Sequence, residues 1–149
     1  MTPTAHTAPR SDTGLASELR FSVARLSRRL RNERDPDNPL SVGALSAMWV
    51  LFREGECTIG ALAAHERVQP PSMTRTVNCL VDDGYAVRHP DPTDGRQVLV
   101  DLTEQGREIL LADRRRREAW LAQRLRELTH DERALLREAA PLIQRLATS

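Results

Sequence analysis

The chain has 149 residues, 22 of them basic and 21 acidic, for a formal net charge of +1. That length suits one domain or two small lobes on a shared core, and the near balance of charge excludes a polycation that grips nucleic acid by total charge alone while leaving room for a local basic site. No stretch approaches the ~18 apolar residues of a membrane span; Met1 to Arg10 is polar and proline-containing and reads as no signal peptide; and the two cysteines, Cys57 and Cys79, are too few for a disulfide scaffold and suit a reduced, cytoplasmic setting.

Residues 1–12 are small, polar and punctuated by proline, which predicts a disordered arm. From Gly14 the pattern turns helical, with Leu15, Leu19, Val23, Leu26 and Leu30 on one face. Pro36 and Pro39 end this first helix. Ser41 caps a second helix that buries Leu45, Met48 and Phe52 and stops at Gly55. Thr58 caps a short third helix that ends near Val68. Proline is tolerated in a first helical turn, so Pro70-Pro71 opens a fourth helix, which runs to about Asp83 and closes at Gly84.

After Gly84 the period becomes extended. Tyr85 to Arg88 and Gln97 to Leu102 read as strands, joined by turn chemistry from His89 to Arg96, and together they predict a hairpin. Thr103 caps a fifth helix, Glu104 to about Glu127, whose middle is the run Arg114 to Arg117. Thr129 with Glu132 is a capping box for a sixth helix, in which Pro141 is expected to kink or weaken one turn. The fold class predicted is mainly α with a small β-hairpin wing, a winged helix-turn-helix flanked by N- and C-terminal dimerisation helices. Its regions are 13–39 and 104–149 for dimerisation and 40–103 for the winged unit.

The fourth helix carries the chemistry. At 100° per residue Met73, Val77, Leu80 and Val81 turn inward, while Arg75 lies opposite. Pro71, Ser72, Asn78, Cys79 and Asp82 share the outer half, with Thr74 and Thr76 on its flanks and Gln69 just before it. Arginine can fork to guanine and asparagine to adenine, and short hydroxyls reach phosphates or base edges, so this face suits a major groove. Free N–H groups at the helix start would favour a phosphate. At the hairpin tip Arg96 suits a narrow minor groove, with Asp94 orienting its guanidinium.

These residues resemble the MarR family of bacterial regulators. Thr58-Ile59-Gly60-Ala61-Leu62-Ala63, Pro71-Ser72-Met73-Thr74-Arg75, Asp91-Pro92-Thr93-Asp94-Gly95-Arg96 and Leu102-Thr103-Glu104-Gln105-Gly106-Arg107 are similar to its third-helix start, recognition-helix core, wing signature and approach to the long fifth helix. The resemblance implies a homodimeric winged-helix transcription factor, usually a repressor, on a palindromic operator in double-stranded DNA. It also implies, for many members, release by a small-molecule effector bound between the dimerisation and DNA-binding lobes. The wing is less basic here, with Gly95 where many members carry a charge. The first helix lacks the cysteine and tyrosines of oxidation-sensing members, which disfavours peroxide sensing by that route.

Phe21, Met48, Trp49 and Phe52 are apolar groups near the junction of the first two helices; they suit an effector pocket, and core packing suits them equally. The apolar face from Leu135 to Leu146 suits pairing with the first helix of a second copy, or capping of the chain's own core. Arg114 to Arg117 spans a full turn and reads mostly as solvated surface. The four histidines lack metal-ligand spacing, and no phosphate loop or nucleophile motif occurs, so no metal, no cofactor and no enzyme are expected. A reading of another class is a protein-interaction module that reuses the winged helix without specific DNA binding. The sequence has no lysine, so any phosphate clamp here is built from arginine, a feature that codon bias explains.

Overall fold

A computed structural model describes residues 11–149. Six helices and three strands follow in the order α1 (Asp12–Asn32), α2 (Val42–Glu54), β1 (Cys57–Thr58), α3 (Ile59–Glu66), α4 (Pro70–Asp82), β2 (Ala86–Pro90), β3 (Val98–Leu102), α5 (Glu104–Arg126) and α6 (His130–Thr148). Five of these helices start at a serine or threonine whose side-chain oxygen accepts an N–H of the first turn, satisfying a donor that the helix cannot. At α6 the capping box is complete: Glu132 Oε2 also accepts the Thr129 N–H at 2.8 Å.

The mainly helical fold with a β wing is as expected, with one addition. Strand β1 pairs antiparallel with β3, so the sheet has three strands in the order β1-β3-β2. Cys57 lies opposite Val100 and Thr58 opposite Leu99, while Ala86, Arg88 and Pro90 of β2 face Leu102, Val100 and Val98. A two-residue strand has no alternation to read, and only its partner makes it a strand. The expected disordered arm falls outside the described residues for 1–10; Ser11 and Asp12 are the cap and first residue of α1. Helix α6 runs unbroken through Pro141.

The core lies between α2, α3, α4, the sheet and the start of α5. Met48, Leu51, Leu62, Val77, Leu80, Val100 and Leu110 are sealed from solvent. Gly84, with φ of 81°, makes the left-handed turn from α4 into β2 that other residues resist. Helix α5 then starts against that turn. The Thr103 N–H donates to the Tyr85 carbonyl at 3.1 Å, and the Thr103 hydroxyl donates to the Gly84 carbonyl at 2.6 Å. A side chain at Gly106 would put its Cβ 2.0 Å from the same Tyr85 oxygen, so only glycine allows this approach.

Three members of the arginine run, Arg114, Arg115 and Arg116, are exposed as read from the sequence, and Arg117 is half-buried. Arg117 pairs with the buried Asp113 at 3.1 Å, Arg114 with Glu118 at 2.6 Å, and Arg116 approaches Asp35 of the α1–α2 loop at 3.8 Å. Arg34 donates to the Leu40 carbonyl, tying the same loop to the start of α2. By contrast, neither α1 nor α6 buries a single residue within the described chain.

Candidate nucleic-acid interface

Helix α4 divides as its spacing predicts. Met73, Val77 and Leu80 are buried and Val81 half-buried, while Gln69, Pro71, Thr74, Arg75, Asn78 and Cys79 are exposed and Ser72 and Thr76 half-exposed. Among the described residues the Arg75 guanidinium hydrogen-bonds only within its own helix, to Ser72 Oγ at 3.4 Å, which leaves most of its donors available. The hydroxyls of Thr74 and Thr76 donate back to the carbonyls of Pro70 and Ser72 at 3.0 and 3.2 Å. Their protons are spent there, so outward they offer oxygen lone pairs.

The start of α4 departs from expectation. Pro70 and Pro71 have no N–H, and the N–H groups of Ser72 and Met73 both donate to the Gln69 carbonyl, at 3.0 and 3.2 Å. The free backbone donors that a bound phosphate would use are therefore missing from this helix start, for a reason already visible in the proline pair. Side chains must supply the donors instead.

Asn78 is not alone on its face. Its Oδ1 accepts from the guanidinium of Arg88 on β2. Sequence reasoning missed Arg88; the signal available was strand alternation, which puts Arg88 on the same sheet face as the buried Ala86.

The wing tip is organised by two carboxylates. Asp91 Oδ1 accepts the Thr93 N–H at 2.8 Å, the Thr93 hydroxyl at 2.7 Å and the Asp94 N–H at 3.3 Å. The Thr93 N–H first, then its hydroxyl, hold the Asp91 carboxyl below its ordinary range. Asp94 Oδ1 accepts the backbone N–H of Arg96 at 3.1 Å. This carboxylate thus fixes the main chain at Arg96 rather than its guanidinium, which is exposed and makes no ion pair among the described residues. Behind the tip His89 Nε2 lies 2.7 Å from Glu56 Oε2, linking β2 to the approach of β1.

Of the four residues read as an effector pocket, three sit on α2 in or against the core and one on α1. Met48 is fully buried in the core, Trp49 and Phe52 meet edge-to-face at 5.5 Å, and Phe21 stands exposed on α1 beneath Arg25. A separate cavity of about 170 Å3 opens between the α1–α2 loop and α5, with Asp35, Asp37, Asn38, Asp113 and Arg116 among its lining. Of the cysteines, Cys79 is exposed, and Cys57 is half-buried with its thiol pushed up by burial and then by Asp101.

The family model described as MarR family matches residues 40–98. An HTH-type transcriptional regulator of Mycobacterium bovis, described as uncharacterised, is 53% identical over 133 residues, 89% of this chain and 92% of the relative. A Pseudomonas aeruginosa crystal structure described as a transcriptional regulator superposes with a TM-score of 0.84 at 36% identity, covering 94% of this chain and 98% of that one. A MarR family protein from Bacillus stearothermophilus shares the fold, with a TM-score of 0.79 at 23% identity over 92% and 95% of the two chains.

Proposed function

The chain belongs to the MarR family and is a transcriptional regulator of that type, and from that premise we propose that it represses its targets in the cytoplasm by binding a palindromic operator as a homodimer. The observation that carries this reading is the division of α4, with buried Met73, Val77 and Leu80 holding an exposed Arg75 outward. Arg75 forks to guanine, while Gln69, Pro71, Ser72, Thr74 and Thr76 complete the contact in the major groove and Asn78 lies on the same DNA-facing side of the helix. Arg96 enters the flanking minor groove from a tip whose backbone Asp94 holds. Residues 40–103 form the DNA-reading unit, and 13–39 with 104–149 form the dimer.

Dimerisation is supported by the apolar residues left in solvent. Leu15, Phe21, Val23 and Leu26 of α1 and Leu135, Leu136, Leu142, Ile143 and Leu146 of α6 are all at least 40% exposed. A surface of that kind on two neighbouring elements fits a second copy. Two-fold pairing would set the recognition helices about 34–36 Å apart, one turn of DNA. Release by a small polar effector at the lobe junction completes the reading; the cavity beside Asp113 supports it.

Selection of operator fragments from genomic DNA by the purified protein tests this function. Enrichment of a palindrome, lost with Arg75→Ala, is the expected result. Failure to bind any duplex at low salt would favour the protein-interaction module instead.

A further inference from the structure

We propose that Arg88 and Asn78 act as one unit, a donor-only clamp on a DNA backbone phosphate, so that Asn78 does not read adenine. The inference rests on α4 as the DNA-reading helix and changes what its last exposed turn does. A guanidinium can only donate, so the atom of Asn78 that faces Arg88 must be its carbonyl oxygen. The amide NH2 is thereby turned away from Arg88. An adenine fork needs the asparagine oxygen and the NH2 presented together, the oxygen to N6 and the nitrogen to N7. With the oxygen turned toward Arg88 and one of its lone pairs engaged there, the side of Asn78 that faces away presents its NH2 donors, beside a guanidinium that has only donors.

The matching surface is made of acceptors and carries negative charge. Asn78 sits two turns beyond the start of α4 at Pro70, whereas recognition helices generally place their N-terminal residues against base edges. That position favours the phosphate backbone over the groove floor. The clamp also compensates for the helix start, where Pro70 and Pro71 provide no N–H for a phosphate. It joins the wing to the recognition helix, because Arg88 is on β2 and Asn78 on α4.

The test uses the full-length protein on its selected operator and on random duplex, with titrations across salt. Arg88→Ala and Asn78→Ala should each weaken both duplexes by a similar factor, about 3- to 10-fold, and the double variant should be little worse than either single one. Loss of a charged phosphate contact should make the log–log salt slope shallower by about 0.9 in Arg88→Ala. Asn78→Ala, which removes no charge, should leave the slope unchanged. Base preference should stay the same at every operator position in both variants. Additive losses, an unchanged slope in Arg88→Ala, or loss of an adenine preference in Asn78→Ala would each overturn the clamp. Circular dichroism and retained dimer mass check that the variants fold. Arg75→Ala separates this failure from the larger one: if it too leaves duplex binding unchanged, α4 is not the reading helix at all.

Discussion

Helix α2 buries six of its 13 residues, whereas α1 and α6, 21 and 19 residues long, bury none. All three carry apolar residues at helical spacing, yet among the described residues only α2 seals them from solvent. Ala44, Met48 and Leu51 meet α3, α4 and the sheet. Leu26, Ile143 and Leu146 meet water. An apolar stripe is half of a core, and a chain that leaves two such halves in solvent has built a surface whose burial depends on another molecule. The winged region needs no such help.

This contrast can be broken at either end. The largest expected effect is in the winged core: Leu80→Ala should cost about 2–5 kcal/mol in urea unfolding, because it opens a cavity that rigid neighbours cannot close. A cost near zero would mean that the core is looser than its sealed side chains indicate. Gly106→Ala should follow at about 3 kcal/mol, since its Cβ has only the Tyr85 backbone to displace. A wild-type unfolding midpoint in that variant would show that α5 does not start against the α4–β2 turn.

On the other side, Leu142→Glu with Leu146→Glu should halve the mass measured by sedimentation while the helical signal of the winged region persists. If that variant keeps the dimer mass, the partner surface lies elsewhere. The smallest effect concerns the wing tip, at the exposed end of the winged region. The Asp91 carboxyl is held below its ordinary range, so its ionised form supports the tip above the unfolded-state value. That support should fade as pH falls through the lowered folded value. The amide resonance of Thr93 should move over that window, and Asp91→Asn should abolish the movement. A titration identical in the variant would remove Asp91 from this role.

Much of the interface was legible in the chain. The spacing of Met73, Val77 and Leu80 determined which way α4 faces, and so which way Arg75 points, because a helix repeats every 3.6 residues whatever it packs against. The turn at Asp91 to Arg96 was readable because aspartate and glycine have strong local preferences. Even the lack of free N–H groups at the start of α4 was readable, since Pro70 and Pro71 lack them by covalent structure. Other features were not local. Strand β1 is two residues long and exists because Val100 and Leu99 are beside it. The arginine run is solvated charge at Arg114, Arg115 and Arg116, but Arg117 lies against a buried Asp113.

What the sequence determined by itself is the class of element and the face each helix turns inward, together with the kind of side chain offered outward. These follow from backbone period, capping and turn chemistry, all of which act over a few neighbouring residues. What only the tertiary structure decided is which groups remain available for another molecule. Asp94 holds a backbone N–H rather than a guanidinium. Asn78 has its carbonyl oxygen turned toward Arg88, ten residues away and on another element. Hydrogen-bonding capacity is finite and is divided among whatever neighbours the fold supplies, so the chemistry left at a surface is settled only after those neighbours are in place.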